Sequence, residues 1–147
     1  MIIRKYKPTD FDQLANIYNV AHPDEFYCEE GDFSLTPWAD DKHIMSILDD
    51  ANVYVYEADS ILGFCGYLDK QINWIFVKPE CRGKGVASKL LMHVLSKLEH
   101  EAYLFVLKSN KRAMSLYENL GFCLDKEFPI IFQEKHTRLN KMVISKP

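Results

Sequence analysis

The sequence predicts an α/β chain, α+β in arrangement: a mixed, mostly antiparallel central sheet of about seven strands flanked by about four helices, in one domain over residues 1–147. Three observations predict it. Three strand-like runs, Val53–Glu57, Ile61–Leu68 and Ile72–Val77, follow one another across gaps that suit tight turns, Ala58-Asp59-Ser60 and Asp69-Lys70-Gln71, which makes an antiparallel meander. On either side of the meander, apolar residues at helical spacing alternate with further strand-like runs. The 147 residues are 48% hydrophobic, enough to bury a core without a second domain.

Residues 2–6 alternate weakly and read as the first strand. Thr9 stands where a cap belongs, before a helix over Asp10–Ala21 with Asp12 in its first turn and Phe11, Leu14, Ile17, Tyr18 and Ala21 at helical spacing. Pro23, Gly31 and Pro37 then break the pattern, so 22–36 reads as a loop with short helical pieces. Thr36-Pro37 starts a second helix, running to about Asp50 and burying Trp38, Ile44, Ile47 and Leu48. After the meander, a third helix from about Gly85 to His100 carries Val86, Leu90, Leu91, Val94, Leu95 and Leu98 on one face. A strand at Tyr103–Leu107 precedes a fourth helix from about Lys111 to Leu120, closed by Gly121 in the position a left-handed cap requires. Phe122–Phe128 and Lys141–Ser145 are the last strands.

A formal net charge of −3, with basic residues spread along the chain, leaves no footprint for nucleic acid, so any phosphate recognition is local. There is no apolar run long enough for a membrane span, and Met1-Ile2-Ile3-Arg4-Lys5-Tyr6 lacks the apolar stretch of a signal peptide, which points to a cytoplasmic chain. Cys28, Cys65, Cys81 and Cys123 lie far apart and are expected as reduced thiols. His22, Cys28, His43 and His136 match no metal-ligand spacing, so no metal is expected.

Chemistry concentrates in Trp74–Leu91. Gly83 and Gly85 open backbone conformations in which successive amides turn toward one centre, and the helix that follows adds free N-terminal amides and the positive end of its dipole. Ala87 and Ser88 are small enough to let a ligand approach the first turn, and Arg82 and Lys84 supply charge at the rim. Such a cradle suits a pyrophosphate. A mononucleotide P-loop would need lysine after Gly85, where Val86 stands. A dinucleotide fingerprint would need a third glycine at Ser88 and no meander before it.

In Arg82-Gly83-Lys84-Gly85-Val86-Ala87 and in Asn110-Lys111-Arg112-Ala113-Met114-Ser115-Leu116-Tyr117-Glu118-Asn119-Leu120-Gly121-Phe122 the chain resembles the GNAT superfamily of acyl-CoA N-acyltransferases. Arg82-Gly83-Lys84-Gly85-Val86-Ala87 fits that family's pattern of Gln or Arg, two residues, glycine, one residue, then glycine or alanine. Asn110 through Phe122 is similar to its N-x-x-A-x-x-L/F-Y-x-x-x-G-F segment. The resemblance is close over 72–122 and implies acetyl-CoA as co-substrate, with a crevice splayed between the fourth and fifth strands. It implies that the backbone of Ile75, Phe76 and Val77 meets the pantetheine arm, that the amides from Arg82 through Gly83, Lys84, Gly85, Val86 and Ala87 to Ser88 take the pyrophosphate, and that Asn110 holds the arm from the next helix. Asn110 and Tyr117 are seven residues apart, so they share a face if the helix already includes Asn110.

Direct transfer needs a neutral amine, a donor for the oxyanion and a proton for the leaving thiolate. Tyr117 matches the tyrosine that supplies this proton in many members, and a phenol is protonated at neutral pH. Family members carry a glutamate on the fourth strand or shortly before the asparagine; here those places hold Gln71 and Asn73, or Phe105, Val106 and Leu107. The base is therefore water or one of Glu25, Glu29, His22 and His43 from the first third of the chain. The acceptor is a small-molecule or peptide amine, met by residues 22–40 and 128–138; Glu25, Tyr27, Trp38 and Asn73 are the candidate contacts. A non-catalytic acyl-CoA-binding module is the alternative, favoured by the missing base and opposed by Tyr117. A homodimer through the last strands follows only from family habit.

Overall fold

β1 (Ile2–Lys5), β2 (Asn52–Glu57), β3 (Ile61–Leu68), β4 (Gln71–Val77), β5 (Ala102–Leu107), β6 (Cys123–Phe132) and β7 (Lys135–Ile144) form one seven-stranded sheet in the order β1-β2-β3-β4-β5-β7-β6. This computed structural model describes residues 1–99 and 101–145. All neighbouring strands are antiparallel except β4 and β5, which are parallel. The expected mixed sheet and its four helices, α1 (Phe11–Ala21), α2 (Lys42–Leu48), α3 (Val86–Lys97) and α4 (Lys111–Asn119), are present.

Period-two alternation puts Val53 and Val55 on one face of β2 and Tyr54 and Tyr56 on the other, and the helices divide accordingly. Leu14, Ile17 and Tyr18 of α1 and Ile44 of α2 pack with Val53, Val55, Phe64 and Trp74. Leu90, Leu91, Val94 and Leu95 of α3 and Tyr117 of α4 pack with Tyr54, Tyr56, Cys65, Leu104 and Met142. Leu90 and Leu91 are fully buried, each stabilising by roughly 1.5–3 kcal/mol.

Three expectations change. Thr9 does not cap α1: it lies in a 3-10 turn, Pro8–Asp10, and the Asp10 carboxylate is drawn to Arg4 Nη1 and Nη2 (2.9 and 3.0 Å) and the Lys7 amide (2.8 Å), charge-assisted bonds that outcompete a cap. The second helix does not run from Thr36. Trp38–Asp40 makes one 3-10 turn, and α2 begins after Asp41, whose Oδ1 accepts the Ile44 amide at 3.0 Å; Ile47 and Leu48 are only half-buried. The last strands are longer than expected, since β6 and β7 form one hairpin of ten residues a side. Pro129 is tolerated inside β6 because β6 is an edge strand. The expected end of the third helix, His100, lies outside the described residues.

One irregularity shapes the site. The β3–β4 register passes from Gly66 opposite Trp74 to Tyr67 opposite Ile72, which leaves Asn73 as an extra residue, a bulge on β4. Bulges bend their strand, and beyond this one β4 leaves β5: the two share a single pair, Gln71 with Tyr103.

Candidate active site

A cavity of about 310 Å³ fills the gap where β4 and β5 part. Ile72 to Val77 form one wall and Leu104, Phe105 and Val106 the other, with Ala113, Leu116 and Tyr117 of α4 closing one side. Its rim is the loop between β4 and α3. Gly83 (φ +77°) and Gly85 (φ +81°) both lie in the left-handed region that L side chains rarely adopt, and a methyl group at Gly83 would meet nothing within 4 Å. Backbone angle rather than space is therefore the reason for glycine there. No side chain caps α3, and its first turn closes with the Lys89 amide on the Gly85 carbonyl at 3.0 Å. The amides of Val86, Ala87 and Ser88 are left without partners inside the helix, on residues that line the cavity. Free amides at the positive end of a helix dipole give this loop a geometry that suits an anion. Arg82 lines it as well and is held by Asp24 at 2.7 Å; Lys84 stands exposed outside the lining.

Asn110 is the N-cap of α4 rather than a residue of its body, with Oδ1 accepting the Ala113 amide at 3.4 Å, so the seven-residue spacing is not the reason it meets Tyr117. Both still line the cavity. Tyr117 is 7% exposed; burial, and then the charge of Glu25, push its phenol well above its ordinary value, so it keeps its proton at neutral pH. Among the lining residues Glu25 is the one carboxylate. It sits on the 3-10 turn His22–Phe26 that extends α1, and its Oε1 lies 3.1 Å from His22 Nδ1. The His22 ring stacks on Tyr18 (4.6 Å between centroids) and meets the edge of Phe76 on β4 at 6.0 Å. The Asn73 bulge also faces the cavity, and its buried Oδ1 has no partner among the described residues.

Two candidate acceptor contacts fall elsewhere. Trp38 is fully buried against Tyr18, Phe64 and Trp74, because its indole fills the space between α1 and the sheet; it is a core residue, not an acceptor wall. Tyr27 is 87% exposed and lines an outer depression with Cys28, Ser109 and Lys111, which shares Glu25, Asn110 and Arg112 with the main cavity. Arg112, Leu116 and Ala21 also line the cavity and were not singled out from the sequence. Leu116 was within reach of helical spacing, since 113, 116 and 117 share one face. Ala21 stood at helical spacing in α1 and read as core, and Arg112 carried no such signal.

A sequence profile described as the Acetyltransferase (GNAT) family matches residues 11–122, well over half of the chain. The chain belongs to the GNAT family. The GNAT match joins the segment from α1 to Phe122, both motifs included. A curated relative, the thialysine N-epsilon-acetyltransferase of Bos taurus, is 49% identical over 51 residues, 32% of this chain and 30% of that protein. The chain spans about a third of the length of the curated relatives it matches. Among solved structures, smu.2055 of Streptococcus mutans UA159 superposes with a TM-score of 0.80 over 97% of this chain and 98% of the other, at 19% identity. For yncA of Salmonella typhimurium, solved with its cofactor acetyl-CoA, the TM-score is 0.72 over 97% and 91%, at 18% identity. These two likenesses speak for the GNAT fold. Among the described residues no group of His, Cys, Asp and Glu is placed to hold a metal, and no helix is long and apolar enough to cross a membrane.

Proposed function

We propose that this chain transfers an acetyl group from acetyl-CoA to a primary amine by direct attack, with Tyr117 as general acid. The observation that carries the reading is the continuity of the cavity, from the uncapped start of α3, along the part of β4 that β5 leaves unpaired, to the Tyr117 phenol. In this reading the amides of Gly83 to Ser88 hold the pyrophosphate, aided by the α3 dipole and Arg82. The backbone of Ile75, Phe76 and Val77 pairs with the amides of the pantetheine arm as a further strand would, and the Asn110 amide group reaches the arm from the far wall. The raised phenol of Tyr117 donates to the thiolate as the carbon–sulfur bond breaks. The Asn73 Oδ1, which has no partner among the described residues, accepts from the amine, and the outer depression beside Tyr27 and Cys28 is its way in.

Tyr117→Phe is expected to lower kcat on an accepted amine by about 100-fold or more while leaving the acetyl-CoA dissociation constant within a few-fold. Turnover equal to wild type would remove Tyr117 from the mechanism. Acetyl-CoA at a hundred times its dissociation constant is expected to stabilise the fold by about 2.7 kcal/mol, read as a rise in Tm. No rise would remove the cofactor assignment. A second reading, a module that binds acyl-CoA without turning it over, draws support from Asn73 standing where a β4 carboxylate would serve as base. A Tm rise with no free thiol released across a broad set of amines would favour it.

A further inference from the structure

β4 and the end of β5 contribute no group able to take a proton at neutral pH from a bound amine, yet the cavity is not without one. Glu25 reaches it from a turn more than forty residues away in sequence. We propose that Glu25 is the general base of acetyl transfer and that His22 positions its carboxylate, an inference that rests on the acetyl-transfer reading above.

Three features support it. Arg82 on the loop is paired with Asp24 at 2.7 Å rather than with Glu25, whose one charged partner among the described residues is His22. His22 Nδ1 engages Oε1 of Glu25 at 3.1 Å, which leaves Oε2 for an incoming amine. The His22 ring is itself fixed, stacked on Tyr18 and edge-on to Phe26 and Phe76, so the carboxylate is held relative to β4 by packing as well as by its hydrogen bond. Glu25 and Tyr117 then stand on the walls of one cavity as base and acid.

The proton balance closes. An alkylammonium gives one proton to Glu25, and the neutral nitrogen bonds to the thioester carbonyl carbon. The carbon–sulfur bond breaks with its electron pair going to sulfur, which takes the Tyr117 proton. The second proton lost by nitrogen restores the phenol, and Glu25 releases the first to solvent through a side chain that is 34% exposed.

The test compares two probe acceptors at pH 7: n-butylamine, an alkylamine whose ammonium has a pKa near that of lysine, about 10.4, and aniline, which is neutral at that pH. Glu25→Gln is expected to lower kcat for butylamine by about 100-fold or more, to leave aniline within about three-fold, and to keep the wild-type acetyl-CoA Tm rise. His22→Ala is expected to lower butylamine kcat without raising its KM, and His22→Phe, which keeps the stacking but not the nitrogen, is expected to fare no better. The proposal is overturned if Glu25→Gln slows both amines equally, if it raises KM alone, or if His22→Phe restores the wild-type rate. A wild-type chain that gains Tm with acetyl-CoA yet acetylates neither amine overturns it too, whereas the absence of any Tm rise in wild type defeats the acetyl-transfer reading itself.

Discussion

A methyl group at Gly66 would stand 2.5 Å from Cε3 of Trp74, inside the core, whereas one at Gly83 meets open space and suffers only from φ +77°. The two glycines therefore fail differently. Gly66→Ala is expected to destabilise by about 1–3 kcal/mol in a urea melt, because a packed indole has to move, with acetyl-CoA affinity changed little. Gly83→Ala is expected to cost about 1 kcal/mol or somewhat more and to weaken acetyl-CoA binding, since the strain falls on the loop whose amides face the ligand. Gly83→Asn should cost less than Gly83→Ala, because asparagine visits the left-handed region more readily. Equal losses for both Gly83 variants would place the constraint outside the backbone angle.

Between elements, two carboxylates carry disproportionate weight. Asp41 ties off α2, and Asp41→Ala is expected to cost about 1 kcal/mol, a Tm drop of roughly 2–4 °C for a chain of this size. Asp10 joins β1 to the start of α1 through Arg4, which also holds Glu57 of β2 at 3.0 Å. The hydrogen bonds from Arg4 hold the Asp10 carboxyl below its usual range despite burial. A folded-state value below the unfolded one, about 3.9, gives stabilisation that is full above that pH and is lost as pH falls through the folded value. Acidification from about pH 4 downward is expected to unfold the wild type progressively, while Asp10→Asn is less stable at pH 7 and loses less on acidification over the same window. Parallel pH–stability curves for the two would show that Asp10 is not the linked group.

Taken as a whole, the sheet is two halves, β1–β4 and β5–β7, joined by one residue pair and by the apolar cluster beneath α3. The loop from 22 to 36 is fastened across the site to the β6–β7 hairpin by the rings of Phe26, Phe33 and Phe132, 4.8–5.7 Å apart, and by the Ser34 amide on Gln133 Oε1 at 2.8 Å. Hydrogen exchange is expected to be slowest in β2 and β3, which are flanked by strands on both sides, and fastest in the edge strand β6. Acetyl-CoA bound in the crevice should slow exchange in β4, β5 and the first turn of α3 more than in β6. Protection spread evenly over the sheet would argue against a ligand seated between β4 and β5.

Local pattern sufficed for the meander, the faces of α1 and α3, the glycine loop and the tyrosine segment, because turn residues, periods of 2 and 3.6, and a motif within one loop all act between near neighbours in the chain. Tertiary structure decided three things. Asn73 became a bulge through its register with β3, and Trp38, which the sequence reads both as buried and as an acceptor contact, serves in the core only, because α1 and the sheet leave a space its size. Glu25 and His22 came to the cavity because Tyr18 and Phe76, far apart in sequence, pack around one imidazole. The placements of Trp38 and of Glu25 with His22 depend on contacts across dozens of residues, and the Asn73 bulge on its pairing with a neighbouring strand; their free energy comes from burial and pairing that periodicity and motif do not state.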